Sequence, residues 1–176
     1  MRMRSVALGL ILLITHFTQV ATATEFEKGP LITEYGPVVI VDGAQPLPAD
    51  TGFSVAFDVT ARGAEGALNR KFESAARFLN MHAAVGVKAD NMRLAVVVHG
   101  PAVLDLTGAA RFGGANPNAD MIETLQAHGV RFIVCGQSAA FQNVGKEDLL
   151  PGVELAVSAM TAHALLQQAG YTLNPF

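Results

Sequence analysis

LAVVV, residues 94–98, is apolar at every position and is closed by His99-Gly100-Pro101. A strand wet on one face alternates apolar and polar side chains. A strand apolar throughout has both faces covered, as in a parallel sheet lying between helix layers. FIVC at 132–135 and VELAV at 153–157 read as further core strands, and SVAFDVT at 54–60 as an alternating first strand. YTL at 171–173 reads as a last edge strand. Between them the period changes to that of helices. In residues 66–85, Leu68, Phe72, Ala75, Leu79 and Ala83 line one face, widened by Phe78, Met81, His82 and Val85. Arg70, Glu73, Arg77 and Asn80 form a polar stripe, with Glu73 and Arg77 an i,i+4 pair on the wet side. Residues 101–115 read as a Gly- and Pro-bearing loop. Asn116 reads as an N-cap with Pro117 in the first turn of a helix ended by Gly129. A short helix near 138–143 follows, and Ser158 caps a last helix at 160–169 that Gly170 stops. Strands separated by helices, with no hairpin signal in the core, imply right-handed crossovers. The expected fold is a three-layer α/β/α sandwich with a mainly parallel sheet.

The chain has 176 residues, of which 51% are hydrophobic and 15% charged, with a mean hydropathy of +0.34. Such a chain folds; disordered chains combine low hydrophobicity with high net charge. A formal charge of -3 opposes binding to nucleic acid, which needs Lys and Arg against phosphates. One cysteine excludes an internal disulfide and any all-cysteine metal or iron–sulfur site within one chain. Arg2 and Arg4, the apolar run at 6–14 and Ala21-Thr22-Ala23 read as a secretory signal peptide over residues 1–23, cleaved after Ala23. A periplasmic location is therefore expected. Val6 to Ile14 is too short to span a bilayer, and no later stretch predicts stable membrane insertion. Residues 24–52, with Pro30, Pro37, Pro46 and Pro48, read as an extended N-terminal arm with a β-rich run at 37–41; residues 53–176 form the α/β domain.

Ligands on parallel sheets bind at the carboxyl ends of the strands. Two chemically able residues fall there, His99 and Cys135. A thiol in the turn Cys135-Gly136-Gln137-Ser138 faces the positive end of the next helix, which raises its thiolate fraction. The alternative is a cysteine packed as a small hydrophobe. His99 would pair with Cys135 to activate a thiolate, or else bond a loop carbonyl. Gly100, Gly136, Gln137 and Ser138 are the candidates to line a ligand pocket at that edge. His82, His128 and His163 lie on three different helices, His82 as a core or interface residue and His128 near a helix end. With no H-x-x-x-H or C-x-x-C spacing, no metal site is expected. Residues 111–114 (RFGG) read as a mobile basic loop able to meet an anion, without a nucleotide-binding pattern, and no cofactor is expected. Asp105 reads as a lone solvated acid. The wide apolar face of residues 66–85 predicts burial on more than one side, hence a homo-oligomer.

RFLNMHAAVG (77–86), LAVVVHGP (94–101), Asn116-Pro117, VCG (134–136), DLLPGV (148–153) and LQQAGY (166–171) occur here in one order. That ordered set resembles the DsrE/DsrF-like family, which includes the Tus sulfur-relay subunits and the YchN-type proteins. The resemblance runs from about Val55 to Phe176 and is nearer to the exported members, which carry a Gly-Pro-rich arm like 36–42. It implies a parallel-sheet α/β/α fold, trimers or hexamers with pockets near subunit contacts, and a cysteine carrying sulfane sulfur as a persulfide. Cys135 matches that position, and His99 matches a recurrent pocket-edge residue. The function expected is a periplasmic sulfur carrier or sulfurtransferase-like protein, with a sulfur donor or acceptor as partner. The alternative is a non-catalytic oligomeric binding module of the same fold, with a structural cysteine.

Overall fold

The structure is a computed structural model that describes residues 25–174. The signal-peptide reading therefore lies outside the described residues. Five strands, β1 (Phe53–Val59), β2 (Met92–Val98), β3 (Arg131–Cys135), β4 (Glu154–Ala156) and β5 (Thr172–Asn174), form one sheet in the order β4-β3-β2-β1-β5. Every pairing is parallel. The all-apolar run is the reason. Leu94, Val96 and Val98 of β2 enter a large core with Phe57, Phe72 and Phe132. Ala95 and Val97 enter a smaller one on the other face with Ala56, Ile133, Ala162 and Leu166. The larger core takes in α1 (Arg70–Ala84), α3 (Ala119–Ala127) and α4 (Gly136–Phe141); the smaller one rests on α5 (Ala159–Gln168). This is the three-layer sandwich, unequal in its two halves.

The strand order has one consequence for function. From β1 to β4 the chain steps one way across the sheet through helices on the larger side, then returns to β5 through α5 on the other side. Between β3 and β4 the outgoing connections therefore part to opposite faces. Such a topological switch point leaves a crevice at the strand ends.

The connection from β2 to α3 is more ordered than its composition predicts. Gly100–Leu106 forms a 3-10 helix, and Ala109–Phe112 forms a one-turn helix, α2. Pro101 fits the first turn because its missing N–H has no partner to lose there. The helix after it starts later than expected, with Asn118 as its N-cap. Asn116 instead accepts from the Asn118 N–H at 2.9 Å and donates to the carbonyls of Asp105 and Thr107. Asp105 is not solvated. It is 2% exposed and accepts from Arg62 Nε, the Gly63 N–H and Asn69 Nδ2 at 2.8–3.0 Å.

Asn80 also departs from the expected wet stripe. It is fully buried, accepting from the N–H groups of Leu31 and Ile32 and donating to the carbonyls of Ile32, Tyr35 and Gly36. Glu73 accepts from the Gly36 N–H, and Arg77 donates to the Pro37 carbonyl. Gly36 has φ +64°, and a Cβ there would strike the α1 backbone at Ala76 and Arg77. The stripe thus holds the segment before β1, whose Ile32 joins the large core. On the widened apolar face of α1, Phe78 is buried in the large core, whereas Met81 and Val85 stay exposed. Among the described residues, the strand-like pairing of the segment before β1 is one antiparallel bridge, between Glu27 and Val38.

Candidate functional site

Cys135 is the last residue of β3 and sits at the switch point. Alternation along β3 sends Phe132 and Val134 into the large core, and Ile133 and Cys135 to the α5 side. Gly136 follows at once as the first residue of α4. A Cβ there would lie 2.5 Å from the Ala156 carbonyl and 3.1 Å from that of Val157, so only glycine lets β4 come this close. Glycine is needed here for close approach. The approach brings the start of α5, capped by Ser158, against the sulfur.

Two helix starts therefore meet at one thiol. Burial, at 5% exposure, pushes the Cys135 thiol up. The Ser138 hydroxyl and the main-chain N–H groups of Ser138, Ala159 and Gln137 outweigh it and leave the thiol below its ordinary range. Ser138 Oγ also accepts from the Gly100 N–H at 3.0 Å, tying the loop after β2 to the loop after β3. Gln142 Nε2 donates to the Gly100 carbonyl at 2.7 Å. Gly100, Pro101, Gln137, Ser138, Phe141 and Gln142 line a hollow of about 310 Å³. Gly100 has φ +56°, and a Cβ there would crowd Thr60 Oγ1 at 2.7 Å.

His99 continues the alternation of β2, on the face that carries Ala95 and Val97. Its Nε2 lies 3.2 Å from Asp58 Oδ2, so its partner is a carboxylate and not a loop carbonyl. Asp58 Oδ1 lies 2.7 Å from His163 Nε2 of α5. Burial pushes the Asp58 carboxyl up, but the hydrogen bonds from His163 and His99 prevail and hold it below the usual carboxylate range. His163 Nδ1 is buried with no partner. Asp58 and His163 were absent from the candidates drawn from sequence. They are 105 residues apart, and only the packing of α5 on the sheet joins them. A signal was nonetheless there: an acid within the first core strand.

The other two histidines among the described residues make only local contacts. His82 Nδ1 meets the Phe78 carbonyl at 2.7 Å, with its ring between those of Phe53 and Phe78. His128 Nδ1 meets the Thr124 carbonyl at the end of α3. Arg111 donates to the Gln142 carbonyl, which anchors the basic loop. Among the described residues no three His, Cys, Asp or Glu side chains are placed to hold a metal ion, and no helix is long and apolar enough to cross a membrane.

Residues 54–175 match the model of the DsrE/DsrF-like family. No curated protein matches the sequence. Among solved structures, the chain is similar to the protein of unknown function MTH1491 from Methanobacterium thermoautotrophicum. The TM-score is 0.55 at 20% identity, over 70% of this chain and 99% of that one. It is also similar to the ychN protein from E. coli, with a TM-score of 0.51 at 17% identity, over 70% of this chain and 100% of that one.

Proposed function

The chain belongs to the DsrE/DsrF-like family, and from that footing we propose that it is a periplasmic sulfur carrier holding sulfane sulfur as a persulfide on Cys135. The observation that carries this reading is the setting of the thiol. A hydroxyl and three main-chain N–H groups from two helix starts favour its anion. A thiolate is the attacking group when sulfur is taken up and the leaving group when it is passed on. The same donors suit both roles, because the negative charge returns to one place at each turnover. The hollow bounded by Gly100, Gln137 and Ser138 offers room for the donor or acceptor molecule.

Export rests on the signal-peptide pattern of residues 1–23, and the homo-oligomer, a trimer or hexamer, on the family. Phe141 and Met160, 90% and 80% exposed, lie on the two elements that flank the thiol. Exposed apolar groups of this size suit a contact with a second copy or a sulfur-exchanging protein.

The low exposure of Cys135 favours one competing reading, an oligomeric binding module whose cysteine is structural. Intact mass separates the two. Reduced and desalted protein offered a polysulfide should gain one sulfur atom, lose it to reductant, and gain none as Cys135→Ser. A Cys135 that takes neither sulfur nor a small alkylating reagent until the protein is denatured would establish the binding module instead.

A further inference from the structure

Asp58, His99 and His163 form a cluster with no part in the thiol's own hydrogen bonding. Asp58 is on β1, His99 directly follows β2 and Cys135 ends β3, all on the α5 face. Val97 pairs with Ile133 and Val98 with Val134, so the next step along both strands puts His99 beside Cys135. Neighbouring strands lie about 4.8 Å apart. The Gly100 N–H bond to Ser138 Oγ holds the two loops at that spacing.

The hydrogens in this cluster follow from valence. An ionised carboxylate only accepts, so both Nε2 atoms facing Asp58 carry hydrogen. In the neutral ring each Nδ1 is then a bare acceptor. For His163 that nitrogen is buried and unpartnered, and a hydrogen there would be sealed in without an acceptor. His99, with a third of its side chain exposed, has Nδ1 as the working nitrogen. We propose that His99 gives and takes the proton of sulfur transfer at Cys135, with Asp58 and His163 as positioning residues that fix its tautomer and orientation. This step rests on the carrier reading.

The chemistry closes on itself. In loading, the Cys135 thiolate bonds to the outer sulfur of a donor persulfide R–S–SH. The donor S–S bond breaks, and its electron pair leaves on R–S⁻. The His99 imidazolium gives its Nδ1 proton to that sulfur, releasing R–SH. In unloading, neutral Nδ1 takes the proton of an acceptor thiol, whose sulfur attacks the outer sulfur of the Cys135 persulfide. Cys135 leaves as thiolate. Sulfane sulfur passes from one thiol to another with no outside oxidant or reductant, and the proton taken at unloading serves the next loading.

The test varies how much the leaving group needs that proton. Glutathione persulfide releases a basic alkyl thiolate; an aromatic disulfide releases a weakly basic one that leaves unaided. Positioned acid–base groups contribute roughly 10²–10⁴ in rate. Asp58→Asn should therefore slow sulfur uptake from glutathione persulfide by about tenfold or more, while the reaction with the aromatic disulfide slows far less. His163→Gln should act in the same direction. Nitrogen NMR of His99 should report the Nε2–H tautomer in the parent protein and its loss in Asp58→Asn. Equal slowing with both reagents, or slowing with neither, overturns the proposal, as does an unchanged tautomer. If the parent protein reacts with the disulfide but takes no sulfur from the persulfide, the carrier reading falls and this step with it. If the parent loads and Asp58→Asn loads as fast, only this step falls.

Discussion

Ser138→Ala removes one defined support of the Cys135 anion. The hydroxyl donates to the sulfur while its oxygen accepts from the Gly100 N–H at 3.0 Å, so it acts on the thiol and on the loop at once. A hydrogen bond to a charged group contributes roughly 1.5–3 kcal/mol, and about 1.4 kcal/mol corresponds to one pH unit in a titration midpoint. The N–H groups of Gln137, Ser138 and Ala159 remain and take up part of the loss. The lower end of the range therefore applies, and the Cys135 midpoint should rise by about one pH unit. Below the midpoint the alkylation rate follows the thiolate fraction and should fall roughly tenfold. Ultraviolet absorbance of the thiolate against pH gives the midpoint directly, and alkylation followed by intact mass gives the rate. Ser138→Thr keeps the hydroxyl and should stay near the parent.

The same substitution makes a signed statement about stability. A thiol whose folded pKa lies below its unfolded value stabilises the fold above the unfolded value and loses that contribution as the pH falls through the folded one. The cost of Ser138→Ala should thus be larger at mildly alkaline pH than at acid pH. The part due to the Gly100 N–H should persist at both. A midpoint that does not move in Ser138→Ala would refute the view that side-chain donation from α4 sets the thiol.

Three further outcomes follow from other parts of the molecule. Asn80→Ala should leave three buried and two part-buried main-chain groups of the 31–36 segment without this partner and cost about 3 kcal/mol or more, at roughly 1–3 kcal/mol for each buried group left unpaired; limited proteolysis before β1 and the denaturation midpoint report it. Gly136→Ala should push β4 from the thiol, costing roughly 1–3 kcal/mol and raising the Cys135 titration midpoint, because the Ala159 N–H moves with β4. Exported protein should begin at Thr24 by intact mass, and a product still starting at Met1 would remove the periplasmic proposal.

Some features were readable from sequence because one local pattern determines them. Residues 94–98 are apolar at every position because both faces of β2 are covered, and Cys135 ends a strand next to a glycine whose Cβ the β4 backbone forbids. Residues 101–115 gave no period because a seven-residue 3-10 helix and a four-residue α-helix are too short to show one. Asn80 fell on the polar stripe with Arg70, Glu73 and Arg77, and periodicity does not distinguish a stripe facing water from one facing main-chain amides. The segment that covers it lies over 40 residues earlier, and its backbone supplies the partners.

Asp58 and Asp105 show how two acids in one fold come to different uses. Asp105 is buried, and an unpaired charge is costly away from water; Asp58 is only partly buried and is partnered as well. Asp105 finds a guanidinium, an amide and a main-chain N–H, none of which changes charge near neutral pH, and so it locks the loops after β1 and β2 in place. Asp58 lies in β1 on the face that α5 covers, and both of its partners are imidazoles. Imidazole is the side chain that gains and loses a proton in that range. One of the two is carried by α5 with its Nδ1 buried, and the other, at the end of β2's run, has a third of its side chain exposed. An acid held between two imidazoles, one of them at the end of the strand that separates it from a favoured thiolate, is placed to hold a proton carrier rather than a loop. For that reason Asp58→Asn is predicted to affect sulfur transfer more than folding.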